Sequence, residues 1–136
     1  HGDSVISLLG EALAPDVADQ FVDGFRGSAA EAGSGLMRPI PAEVFGIREE
    51  NRERVDRLCE PQALATFEMP VLLTRGRSAV ERRVYLLADG WDPSPFRHFA
   101  ARLEGEEGWT VEKIDCSHDV MIDRPDELAE SLLKLV

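Results

Sequence analysis

The sequence predicts an α/β fold in which parallel strands alternate with helices. Residues 83–88 and 109–115 are rich in apolar and β-branched side chains, and each is followed by a helix-like segment, at 93–103 and 125–136. This strand–helix alternation favours a parallel sheet covered by helices. A histidine follows the second strand directly, and reactive groups of open α/β sheets lie at the carboxyl ends of strands. The sequence therefore places a candidate site at that end of the sheet.

The amino-terminal half is predicted to be helical and loop-rich, with no clear strand. A first helix, capped by Asp3 or Ser4, is expected to run to about residue 14, and a second, short helix is expected to begin at Pro15. The glycines within residues 24–35 predict a small, flexible connection.

An exposed helix is expected over residues 49–58, with Val55 and Leu58 facing inward. Residues 71–74 form a short apolar stretch that predicts a strand or an extended arm. These features divide the chain into a helical cap or lid segment, residues 1–69, and the strand–helix units of residues 70–136.

Two parallel strands are too few for an independent sheet, because such strands are normally covered on both faces and lie among several others. The predicted architecture is therefore part of a larger fold. A start at His1-Gly2 rather than at Met agrees with a processed chain or a fragment. A free edge strand is also prone to association, so a dimer or a heteromer is expected.

Composition excludes several classes of function. The formal net charge of −11 argues against nucleic-acid binding and against binding to anionic membranes, both of which require basic patches. No apolar run approaches the roughly 20 residues that span a bilayer. Cys59 and Cys116 are expected to be free thiols in a reducing cytoplasm.

Four segments carry a resemblance to a known family: residues 38–47, 55–67, 85–96 and 109–128. Together they resemble the carboxy-terminal half of small bacterial α/β-hydrolases, in the branch that includes plant methylesterases and hydroxynitrile lyases. The last segment, with Ser-His-Asp-Val-Met at 117–121, is the most specific. The expected fold is thus the carboxy-terminal part of an α/β-hydrolase, a helical cap followed by the last parallel strand–helix units.

The resemblance implies a serine esterase, or a lyase of the same fold, with no metal or organic cofactor. It implies that His118 is the general base and that Asp89 or Asp92 is the acid that orients the imidazole. An imidazole suits proton transfer because its ordinary pKa lies near neutral pH. Both acids could instead be ordinary loop residues, and Asp92 could cap the helix that begins near Pro93.

The nucleophile that this chemistry needs is not visible in the sequence. A Gly-x-Ser-x-Gly elbow has no counterpart, since residues 33–35 have the wrong spacing and no preceding strand, and residues 76–78 lack the final glycine. The serine is therefore expected outside this chain. A second polypeptide carrying the nucleophile half, or a homo-oligomer, is the expected partner, and this chain alone is expected to be inactive.

A small carboxylic ester is the expected substrate, with Met121, Trp91 and Phe45 as candidate pocket residues, although such side chains also commonly form core. Cys116 and His118 could form a dyad or part of a metal site, but two ligands are a weak signal, since a closed site needs four. Two alternative functions stay open: a non-catalytic binding or assembly module that retains the hydrolase shape, and hydroxynitrile-lyase-type carbon–carbon bond cleavage.

Overall fold

The computed structural model describes residues 2–72 and 80–135. It divides into two compact units, one formed by His1–Pro39 and Glu60–Glu81 and the other by Ile40–Cys59 and Arg82–Val136. These borders differ from the predicted division at residues 69 and 70, because residues 40–59 group with the carboxy-terminal strands.

The first unit begins with two helices, α1 (Val5–Ala12) and α2 (Pro15–Ala32). A capping box starts α1: the Ser4 hydroxyl accepts the Ser7 amide, and the Ser7 hydroxyl accepts the Ser4 amide. This satisfies amide groups that the first helical turn leaves unpaired.

The expectation of a short second helix and a flexible connection over residues 24–35 was wrong, because α2 continues through Gly24 and Gly27 to Ala32. Glycine lowers helix propensity by only about 1 kcal/mol, and packing can offset that cost. Phe25 on α2 packs edge-to-face against Phe67, with ring centroids 5.0 Å apart. The helix ends at Gly33, which has φ of +66°.

A small antiparallel pair follows, formed by β1 (Leu36–Met37) and β2 (Gln62–Ala63). The expectation that the front of the chain contains no strand was therefore wrong. Two-residue strands carry too little alternation to be seen as a pattern. A single helical turn, α4 (Ala65–Glu68), completes this unit, and its Glu68 pairs with Arg26 of α2 at 3.1 Å.

The second unit contains a helix, α3 (Glu49–Leu58), and the predicted strands β3 (Arg83–Ala88) and β4 (Trp109–Ile114). The two strands pair in parallel over six residues, from Arg83 opposite Trp109 to Ala88 opposite Ile114. The helix α5 (Phe96–Leu103) connects them, and α6 (Val120–Asp123) and α7 (Pro125–Leu133) follow β4. The coarse prediction of an α/β arrangement with parallel strands is confirmed in this part of the chain.

One buried cluster of the second unit lies on one face of the strand pair. Ile114, Cys116 and Val120 are buried together, and Leu86 and Leu128 pack against them. Tyr85, which alternates with Leu86 along β3, serves the opposite face, where its hydroxyl lies 3.4 Å from the Phe96 carbonyl of α5. Side chains therefore pack on both faces of the strand pair. Because β3 and β4 are parallel, their carboxyl ends lie at the same edge of the sheet.

Two expectations outside the sheet have different outcomes. Val55 is partly buried as predicted, but Leu58, the last residue of α3, is 64% exposed, so the prediction that it faces inward was wrong. Of the predicted arm at residues 71–74, Val71 and Leu72 are exposed and outside regular secondary structure. Residues 73 and 74, like residues 76–78, lie outside the described residues.

No helix in residues 2–72 and 80–135 combines the length and apolar character needed to cross a membrane.

Candidate functional site

His118 lies on the loop that follows β4, four residues after the end of the strand. Its backbone amide donates to the Phe45 carbonyl at 3.1 Å. The loop is tied to the end of β3 as well, since the Gly90 amide donates to the Cys116 carbonyl at 2.9 Å. The histidine loop is therefore fixed by backbone hydrogen bonds from two other segments of the unit.

The His118 imidazole lies within a cluster of three aromatic rings. Phe45 stacks on it with ring centroids 5.0 Å apart and an interplanar angle of 23°, and Phe96 stacks with a centroid distance of 5.3 Å and an angle of 19°. Trp91 is closer still, at 4.8 Å, and tilted by 48°. We call these three side chains, Phe45, Trp91 and Phe96, the aromatic cluster.

The aromatic cluster is itself anchored. Trp91 is buried, and its indole Nε1–H donates to the Val44 carbonyl at 2.9 Å. Trp91 also contacts both Phe45 and Phe96, with centroid distances of 5.9 and 6.1 Å. A buried indole with a satisfied N–H gives a rigid wall beside the imidazole.

Burial lowers the pKa of His118 below its ordinary value of 6.5, because desolvation disfavours the imidazolium, while the charge of Asp119 acts in the opposite direction. At neutral pH the ring is therefore uncharged, which is the protonation state that a general base needs. Among the described residues, the imidazole contacts aromatic rings and forms no side-chain hydrogen bond.

The two candidate acids share one partner, Arg97. Its Nε donates to Asp89 Oδ1 at 2.7 Å, and its Nη1 donates to Asp92 Oδ1 at 2.6 Å. Its Nη2 also donates to the Asp89 backbone carbonyl at 2.5 Å. The structure thus brings Asp89 and Asp92 together on a guanidinium, and neither carboxylate forms a hydrogen bond with His118 among the described contacts.

The candidate pocket residues fall into two groups. Phe45 and Trp91 contact the imidazole, whereas Met121 is 57% exposed on α6. Phe96, the first residue of α5, was not among the candidate pocket residues but joins the first group. Its signal in the sequence was its place next to the loop that follows β3.

Cys116 is buried, and burial raises the pKa of its thiol, which favours the protonated and unreactive form. No group of three or more histidine, cysteine or acidic side chains suited to a metal ion occurs in the described part of the chain.

A buried carboxylate, Asp123, was not singled out from the sequence. It is 3% exposed and accepts hydrogen bonds from Ser117 Oγ at 2.5 Å and from Asn51 Nδ2 at 3.0 Å. Burial alone would raise the pKa of Asp123, but hydrogen bonds from Ser117, Asn51 and Arg48 outweigh this and lower it. In the sequence, Asp123 is one of several acidic residues before the last helix, and nothing in the local pattern distinguishes it.

Comparison with known proteins shows a similarity to a curated esterase. The chain is 57% identical over 135 residues to the "Carbendazim hydrolyzing esterase" of Nocardioides sp. (strain SG-4G). The match covers 99% of this chain and 56% of the relative, so the chain spans little more than half the length of that esterase.

No family model matches the chain, and no solved structure matches it. Its 57% identity to part of the Nocardioides protein makes the chain a homologue of part of an esterase.

Proposed function

We propose that this chain supplies the general base, His118, to a serine esterase that acts on a small carboxylic ester. The observation that carries the proposal is the position of His118 on the loop after β4, enclosed by aromatic rings, in a chain 57% identical to part of an esterase. Burial, which lowers the pKa of the imidazole, supports the same role. The nucleophilic serine and the oxyanion-binding amides would come from outside this chain, either from a second polypeptide or from further residues of the same protein.

In this reaction the serine hydroxyl attacks the ester carbonyl while His118 accepts its proton. The proton then passes to the leaving alcohol as the carbon–oxygen bond of the ester breaks and an acyl-enzyme remains. Water repeats the sequence, with His118 again accepting and returning the proton, and releases the acid. Phe45 and Trp91 would exclude water from the imidazole, and Met121 would extend the acyl or alcohol pocket.

The triad acid is the open part of the proposal. Asp89 and Asp92 both follow β3, which is where the α/β-hydrolase order places the acid. Each is ion-paired with Arg97, so one carboxylate would have to leave that ion pair in order to form a hydrogen bond with His118. This same observation favours the competing function, a non-catalytic module that keeps the hydrolase shape.

The test is a chimera in which this chain replaces the 135 matched residues of the Nocardioides esterase, assayed on carbendazim and on a chromogenic short-chain ester. We expect turnover and labelling by a serine-directed phosphonate. His118→Gln should lower kcat by about 10²–10⁴-fold, the usual contribution of a general base. His98→Gln is the matched control and should retain the rate.

Asp89→Asn and Asp92→Asn, made singly in the chimera, identify the acid as the one whose loss lowers kcat. A folded chimera in which His118→Gln retains the rate would refute the proposed role of the imidazole. A folded chimera with neither turnover nor a phosphonate adduct would favour the non-catalytic module. Cleavage of a cyanohydrin without ester hydrolysis would favour lyase chemistry.

A further inference from the structure

Asp123 is a buried charge that the proposed reaction does not use. A carboxylate is costly to bury unless its oxygen atoms are paired and hydrogen-bonded. Here Ser117 Oγ and the Arg48 amide donate to Oδ2, at 2.5 and 3.2 Å, and Asn51 Nδ2 donates to Oδ1 at 3.0 Å. Both carboxylate oxygens are therefore satisfied, by donors from two separate segments.

These donors connect the histidine loop to the segment that carries Phe45. Ser117 immediately precedes His118, and Arg48 and Asn51 stand at the start of α3, a few residues after Phe45. Arg48 binds the segment a second time, since its Nη2 donates to the Asp123 backbone carbonyl at 2.6 Å. The carboxylate thus lies at the junction of the two pieces of chain that hold the imidazole.

Close packing at this junction agrees with a fixed geometry. Gly46, with φ of +69°, lies where a Cβ would be 3.7 Å from both Ser117 Cβ and Trp91 Cδ1. The segment after Phe45 therefore packs against the histidine loop. Ile47, two residues after Phe45, is fully buried. A shift of either segment would change the stacking of Phe45 on His118.

We infer that Asp123 is a positioning residue, which holds His118 against Phe45 by binding Ser117 on one side and the start of α3 on the other. The catalytic part of this inference rests on the proposed function, whereas the effect of Asp123 on the position of the His118 ring does not. Asp123 acts through Ser117 and Arg48 and does not touch the reacting atoms. Since its pKa is lowered, the carboxylate stays charged throughout the neutral range and the restraint does not change while His118 exchanges protons.

The geometric part is tested on the chain itself by NMR of the His118 imidazole. Stacked rings displace the ring-proton signals of a histidine, and burial lowers its pKa, so both report the position of the ring. We expect Ser117→Ala and Asp123→Asn to move these signals toward those of an exposed histidine and to raise the pKa toward 6.5. Asp126→Asn removes the same charge three residues away, at an exposed position of α7, and should change neither.

Ser117→Thr provides the rescue, because it retains the hydroxyl that binds Asp123. Ser117→Ala is the milder variant, because it leaves the Asn51 and Arg48 hydrogen bonds to Asp123 in place. It therefore tests the inference even if Asp123→Asn does not fold. A folded Ser117→Ala variant with unchanged His118 signals and pKa would overturn the inference.

The same variants in the chimera separate this inference from the proposed function. Ser117→Ala should lower kcat by roughly 10- to 100-fold with little change in KM, since a displaced catalytic group loses rate rather than binding. A chimera without esterase activity would contradict the proposed function. The NMR result would still decide whether Asp123 positions the His118 ring.

Discussion

Replacement of Gly90 by alanine should separate the two loops at the carboxyl edge of the sheet. A Cβ at this position would lie 2.7 Å from the Cys116 carbonyl oxygen and 3.0 Å from Asp115 Oδ1. Ordinary van der Waals contact begins at 3.4 Å, so the loops must move apart by about 0.7 Å. The Gly90 backbone does not have a positive φ, and steric contact is therefore the cause of the expected loss.

The magnitude follows from three effects. Overpacking of this kind costs about 1–3 kcal/mol. A shift of that size also breaks the 2.9 Å hydrogen bond from the Gly90 amide to Cys116, which contributes about 0.5–1.5 kcal/mol. The lower entropy of the unfolded alanine chain offsets about 0.4–1 kcal/mol. We expect a net loss of about 1–3 kcal/mol, or roughly 4–12 °C in Tm for a domain of this size.

Tryptophan fluorescence during thermal or urea unfolding is the appropriate assay, because Trp91 and Trp109 both lie in the second unit. Gly105→Ala is the contrasting variant: nothing lies within 4 Å of its Cβ, but φ is +85°. It should lose stability through backbone strain and leave the His118 NMR signals unchanged, whereas Gly90→Ala should shift them. An unchanged or higher Tm for Gly90→Ala would refute the steric argument.

Three further predictions concern local structure and pH. Gly24→Ala should stabilise α2 by about 1 kcal/mol, because nothing lies within 4 Å of the added Cβ; circular dichroism melting that shows a loss would contradict this. Ser4→Ala should destabilise α1 by about 1 kcal/mol through loss of the capping box, read by the same method, with Ser4→Asp as the variant that restores a cap. The lowered pKa of His118 means that its contribution to stability is present above pH 6.5 and is lost as pH falls through the folded-state pKa. His118→Gln should remove that part of the pH dependence in urea unfolding, and an identical pH dependence in both proteins would show that the imidazole is not desolvated.

The strand–helix alternation of the carboxy-terminal half was predictable because its apolar runs are long enough to show a period. Arg83–Ala88 and Trp109–Ile114 each span six residues, and both strands are confirmed. The strands Leu36–Met37 and Gln62–Ala63 were missed, since pairing of two residues depends on distant partners and leaves no local pattern. The glycines of α2 misled the prediction because their propensity cost was weighed without the packing of Phe25 on Phe67.

The candidate site shows the same limit. A histidine after a strand is visible in the sequence, but its neighbours come from residues 45, 91 and 96, which only the fold brings together. Asp123 was not singled out, because its burial and its hydrogen bond from Ser117 are tertiary features. Arg97 stands eight residues after Asp89, and nothing at that spacing predicts an ion pair.

Among the described residues, the contacts that hold the imidazole include neither candidate acid. Phe45 binds the His118 amide through its carbonyl, Asp123 binds Ser117, and Gly90 binds Cys116, so three consecutive residues of the loop are each held by a different segment. The rings of Phe45 and Phe96 then fix the plane of the imidazole from two contacts. In the usual triad, the acid performs this orienting role and also stabilises the imidazolium. Here other contacts already orient the ring, so under the proposed function the acid would be needed for charge alone. Asp89→Asn and Asp92→Asn in the chimera should therefore lower kcat by less than His118→Gln, and a loss equal to that of His118→Gln would show that the carboxylate still orients the ring.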